Sequence, residues 1–149
     1  FLYQGKNFLI LTEATSLDSY EHIKEDLTLM TYAYHIIELI EKLMPENVPD
    51  PWVYENLKYV LSGLNTSPRQ IFIRAFEAKL LDHLGFVNFS LNSYILSGKL
   101  KLDKLSWEEI AKLEINEQEA LELERILRYH IESVIEGQLK SRRYLKNHG

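Results

Sequence analysis

The chain has 149 residues, of which 46% are hydrophobic, 26% charged and 11% aromatic, with a formal net charge of −5. That size and apolar content suit one domain with a buried core and exclude disorder, and no apolar run approaches the roughly 18 residues of a membrane-spanning helix. With no cysteine, the chain has no disulfide framework, thiol nucleophile or cysteine-ligated zinc or iron–sulfur site, which fits a reducing compartment.

Residues 1–11 open on Phe1, with neither a basic n-region nor a small-residue cleavage site. The expectation is that this segment is not a signal peptide and that a longer protein has lost its N-terminal part. Phe8, Leu9, Ile10 and Leu11 form a short apolar run after the turn residues Gly5-Lys6-Asn7, which predicts a strand. One or two strands do not make a stable sheet, so residues 1–15 read as the end of a β-domain and 16–149 as a helical domain.

From Leu17 the period becomes helical. Ile23, Leu27, Met30, Tyr34, Ile37 and Met44 follow 3-and-4 spacing, and Leu29, Ala33, Ile36, Leu39, Ile40 and Leu43 widen the apolar arc. A helix apolar on so many sides is expected at the centre of a bundle, and Pro45, Pro49 and Pro51 end it. Asp50-Pro51 predicts a capped start for a helix with the stripe Val53, Leu57, Val60, Leu61 and Leu64. Ser67-Pro68 repeats that start signal. Phe72, Ala75, Phe76, Lys79, Leu80 and His83 are placed on one side of the following helix, which Gly85 closes.

Residues 86–105 are less regular, with a turn at Ser97-Gly98-Lys99. Ser106…Glu109 and Asn116…Glu119 are both capping-box patterns, the second with Ile115 and Ala120 as a hydrophobic staple. Leu123, Leu127, Ile131 and Val134 then define a long helix expected to stop near Gly137, followed by a last basic helix over 138–147. Seven Glu against Lys112 make 108–124 strongly acidic; six Lys/Arg against Glu132 and Glu136 make 125–149 basic. The acidic stretch is accounted for by helix starts. The basic end has two readings: a solvated helix terminus whose cations complement the dipole, or a patch for polyanions.

The residue types that catalysis needs do not fall into its patterns. No histidine follows a glutamate by three, no His-Glu-x-x-His occurs, and the six glycines are too scattered for a phosphate loop. His35 and His130 read as packed or surface residues, not ligands. No enzyme, cofactor or metal is expected.

Four blocks carry a resemblance. Arg74-Ala75-Phe76-Glu77-Ala78-Lys79-Leu80-Leu81 with His83-Leu84-Gly85-Phe86 resembles the Arg-x-Phe-Glu-x-x-Leu-Leu-x-x-x-Gly-Tyr signature of the bacterial recombination mediator family RecO. The opening Gly5–Ala14 is similar to that family's last barrel strand, and Ile23–Leu27 through Tyr32-Ala33-Tyr34 and Glu38-Leu39 to the helix after it. Leu139-Lys140-Ser141-Arg142-Arg143-Tyr144-Leu145 is similar to its closing Lys-Ser-Arg motif. The fold so implied is mainly α, a helical bundle with a short N-terminal β remnant of an OB-fold barrel. The implied function is a non-catalytic, cytoplasmic and nucleoid-associated factor in DNA repair and homologous recombination. Such proteins bind single- and double-stranded DNA, anneal strands, engage the single-strand-binding protein SSB, and with RecR help RecA to load. Most of the barrel, with its stacking platform, is absent from this chain, as is the four-cysteine zinc module of many members.

The phosphate-contacting residues expected from the basic charge of this end are Lys140, Arg142, Arg143 and Lys146, with Arg125 and Arg128 on the adjoining helix. The implied site for the acidic SSB tail is Arg74, with Lys79 nearby and Phe76, Leu80 or Phe86 as wall candidates; the alternative reading places Phe76 and Leu80 in the ordinary core. The competing expectation is a helical module that binds one protein partner and no nucleic acid, which the overall acidity favours.

Overall fold

A computed structural model describes residues 21–44, 50–67, 69–86 and 101–148; the side chains of Glu21, Arg142 and residues 144–148 lie outside that description. So do the strand expected near residues 8–11 and the turn at Ser97–Lys99. Among the described residues there are six helices and no strand: α1 (Glu21–Glu25), α2 (Leu27–Leu43), α3 (Pro51–Thr66), α4 (Ile71–His83), α5 (Trp107–Ala111) and α6 (Glu117–His148). No helix among them is long and apolar enough to cross a membrane.

The first helical segment is broken where one continuous helix was expected. Asp26 sits in extended conformation, and its carboxylate accepts from the backbone N–H groups of Thr28 and Leu29 at 2.8 and 3.2 Å. An aspartate that satisfies two orphan donors makes a new helix start favourable. The break turns Leu27 outward, 82% exposed. The burial falls instead on Leu29, Ala33, Ile36, Ile37, Leu39, Ile40 and Leu43. The helix ends at Leu43, before Pro45.

α3 starts as its sequence predicts. Asp50 accepts from the Trp52 N–H at 3.0 Å with Pro51 at the first turn, and the whole expected stripe is buried. The start expected at Ser67-Pro68 is displaced. Ser67 closes α3, its N–H bonded to the Gly63 carbonyl at 2.8 Å, and α4 begins at Ile71 without a side-chain cap. Gly85, with φ 83°, ends α4. Its N–H donates to the Asp82 carbonyl at 3.1 Å and that of Phe86 to Leu81 at 2.8 Å, the paired bonds of a Schellman motif.

α4, not α2, is the most enclosed helix. Ile71, Phe72, Ile73, Ala75, Phe76, Glu77, Ala78, Leu80 and Leu81 are all buried, and α2, α3, α5 and α6 pack around it. Phe76 and Leu80, both 0% exposed, are its centre. α3 approaches closely enough at Gly63 that an added Cβ would lie 2.8 Å from the Phe72 ring.

Both capping boxes form: Ser106 with Glu109 at 3.0 and 3.1 Å, and Asn116 with Glu119 at 3.0 and 2.8 Å. Arg69 ties α5 to α4 by donating to the carbonyls of Ala111, at 2.9 Å, and Leu113. α6 then runs 32 residues, through Gly137, so the expected stop there and the separate final helix are not found. A glycine inside a helix costs only about 1 kcal/mol against alanine, and no proline or left-handed residue reinforces a stop here.

Candidate functional site: a groove over an Arg–Glu–His cluster

Arg74 and Glu77 are one turn apart on α4, so their side chains share a face. Arg74 Nε lies 3.1 Å from Glu77 Oε1, with the two side chains 12% and 2% exposed. These two atoms are buried without an aligned hydrogen-bond partner among the described residues, although they attract as an ion pair. From α2, His35 Nε2 stands 3.1 Å from the other carboxylate oxygen of Glu77. Burial strips water from the carboxylate, and only adjacent cations and donors make that tolerable.

Above the cluster, α2, α4 and α6 enclose a groove of about 480 Å³. Leu39, Ile73, Ile131 and Ile135 give it apolar walls. Its rim carries Glu38 with Lys42, 2.7 Å apart, and Arg128 ion-paired to Glu124. Lys42 holds the Glu38 carboxyl below the usual range, chiefly by direct hydrogen bonding. Glu132 lines the groove as well, so acids and bases nearly balance there.

The five residues expected to form a tail-binding site do not meet. Arg74 lines this groove, whereas Phe76 and Leu80 are core and cannot serve as walls of an open pocket. Phe86 lines a separate hollow with Leu43, Met44, Val134, Gly137, Gln138 and Ser141. Lys79 faces α5, where its ammonium donates to the Leu105 carbonyl and lies 5.5 Å above the Trp107 ring. Burial pushes the Lys79 amine down, and Asp103 and Asp82 pull it partly back. His35, Glu77, Leu39, Ile73, Ile131 and Ile135 belong to the groove and were not expected from sequence as site residues. The Arg74–Glu77 spacing was the available signal for Glu77; the α2 and α6 walls had no local one.

Of the basic residues, Arg125, Arg128, Lys140 and Arg143 are exposed along α6. Lys140 pairs with Glu136 at 3.2 Å. Arg125 and Arg143 lie five turns apart, about 27 Å, so the cations form a line and not a cluster. The side chains of Arg142 and Lys146 lie outside the described residues. Among the described residues no group of His, Asp and Glu is placed to hold a metal ion.

The comparison with known proteins decides the family of the chain. The family model described as recombination protein O C terminal matches residues 24–99, half of the chain. The chain belongs to the RecO family. It is 36% identical over 100 residues to DNA repair protein RecO of Syntrophomonas wolfei, covering 66% of this chain and 40% of the relative. With DNA repair protein RecO of Acetivibrio thermocellus the identity is 30% over 107 residues, covering 70% and 42%. With that of Macrococcus caseolyticus it is 30% over 93 residues, covering 61% and 37%. The chain therefore spans about two fifths of the length of these curated RecO relatives. No solved structure matches it. Within the RecO signature, Arg74 and Glu77 are each other's ion-pair partners, and Phe76 and Leu80 are the residues that hold their helix in place.

Proposed function

We propose that this chain is the helical part of a non-catalytic mediator of DNA repair and homologous recombination. In this reading it binds single- and double-stranded DNA, contributes to strand annealing, and works in the cytoplasm, at the nucleoid, with SSB and RecR to assist RecA loading. The observation that carries the reading is the exposed basic end of α6, with Lys140 and Arg143 open to solvent, on a chain whose relatives are named for DNA repair. Phosphates are bound there without sequence preference, and each duplex phosphate neutralised lowers log K by roughly 0.9 per tenfold rise in salt. Fluorescence anisotropy with labelled single- and double-stranded DNA, at low and high salt, tests it. Replacing Lys140, Arg142, Arg143 and Lys146 together by Glu should abolish binding; unchanged affinity and salt slope would refute the DNA reading.

The groove supports a protein partner. A peptide ending in an apolar side chain and a free carboxylate, the chemistry expected of the SSB tail, would set its carboxylate on the desolvated Arg74 guanidinium and its apolar residue against Ile73, Leu39, Ile131 and Ile135. The acids of the rim mean that attraction rests on this one contact, not on overall charge. Calorimetry with an SSB tail peptide should show weaker binding by the double variant Arg74→Met/Glu77→Gln, in which no buried charge is stranded. If the tail binds while DNA does not, the chain is a protein-docking module only.

A further inference from the structure

The outer face of α6 bears large apolar residues in water. Leu121 is 61% exposed and Leu139 45%, on the side opposite the buried Leu123, Leu127 and Ile131. Between them stand the exposed charges Arg125, Arg128, Glu132 and Glu136, of which Arg128 and Glu132 also border the groove over Arg74. At 100° per residue these six positions fall within an arc of about 80°, so they form one stripe along the helix.

The order of that stripe is its distinctive property: Leu, Arg, Arg, Glu, Glu, Leu. Reversed, it places Leu opposite Leu and every Arg opposite a Glu. Leu121 matches Leu139, Arg125 matches Glu136 and Arg128 matches Glu132; two of the pairs are centred on His130 and the third lies half a residue beyond it. We propose that the outer face of α6 binds a second copy of this chain, the two helices running antiparallel about a two-fold axis near residue 130. A parallel copy would set like charges together, and a polyanion would meet as many acids as bases. Two-fold symmetry generates each Arg–Glu contact twice, so the interface holds four ion pairs flanked by two leucine contacts.

The stripe's existing partners do not compete strongly. Arg128 pairs with Glu124 and Glu136 with Lys140, both four residues apart on the exposed surface of α6. Such pairs are weak, and each can be shared with a charge across the interface. A single helix pair buries less than the roughly 1,000 Å² of a lasting interface, so the dimer is concentration-dependent and sensitive to salt. It does not depend on the DNA reading and forms without nucleic acid.

Analytical ultracentrifugation of the 149-residue chain, from about 1 μM to a few hundred μM at low salt, should show a reversible monomer–dimer equilibrium. An all-acidic stripe (Arg125→Glu/Arg128→Glu) and an all-basic one (Glu132→Arg/Glu136→Arg) should each reduce self-association at least tenfold. Mixed in equal amounts they should form a heterodimer at least as tight as the wild type, because every facing pair is then attractive. The uncharged test, Leu121→Ser/Leu139→Ser, should also weaken association, and circular dichroism checks that each variant remains helical. A wild type that stays monomeric throughout overturns the proposal. So does a dimer that both reversed stripes still form, or one that mixing fails to restore.

Discussion

Truncating Arg74 to alanine should be far more damaging than an ordinary change at a groove lining. Two unit charges at the 3.1 Å separation of Arg74 and Glu77 attract by about 5 kcal/mol at an effective dielectric near 20, before desolvation is subtracted. Arg74→Ala removes that attraction and strands Glu77, 2% exposed in the wild type, with His35 as its remaining ion-pair neighbour. Breaking a buried pair in this way costs about 3–5 kcal/mol, a large share of the 5–15 kcal/mol typical of a whole domain. For a chain of this length the melting temperature should fall by roughly 6–20 °C. Arg74→Met/Glu77→Leu removes both charges and fills similar volume, so it should lie within about 1 kcal/mol of the wild type. Urea denaturation of the wild type, Arg74→Met, Glu77→Leu and the double variant gives the coupling directly, with Arg74→Ala measured beside them. A loss below about 1 kcal/mol for Arg74→Ala, or a double variant as unstable as the two singles summed, would refute the claim that burial makes these charges interdependent. The same reasoning is why binding at Arg74 is tested with a charge-paired double variant.

Gly63→Ala should destabilise by about 1 kcal/mol in thermal melts, because the clash with the Phe72 ring, 2.8 Å from the new Cβ, outweighs the gain in helix propensity; a stabilised variant would show that the ring yields freely. Asp50→Ala should cost about 1–2 kcal/mol in the same assay, since one carboxylate both caps α3 at Trp52 and pairs with His83 at 2.7 Å. Burial holds the His130 imidazole below its ordinary value, so folding expels a proton that the unfolded chain binds below about pH 6.5. Stability is therefore full above that pH and declines as pH falls through the lower folded value; denaturation curves between pH 5 and 7.5 should show this slope, and His130→Leu should flatten it.

Signals contained within three or four residues were legible in the sequence. Asp50-Pro51, Ser106 with Glu109, Asn116 with Glu119, and Gly85 all do what their types dictate, because the hydrogen bonds involved close within one turn. The stripe of α3 was equally readable, since it packs on one side only. Tertiary structure decided which helix is enclosed, because burial of α4 depends on α2, α3, α5 and α6, far away in sequence. It also decided the candidate site. His35, Glu77 and Ile131 come from three helices, and no local pattern states that they will share a groove. Phe76 and Leu80 belong to the same motif as Arg74, yet helix geometry turns them into the core while Arg74 lines the groove. The stop expected at Gly137 failed for the complementary reason: glycine permits a helix to end, but only a left-handed turn with partners for the last carbonyls requires it, and α6 continues on helix-forming neighbours.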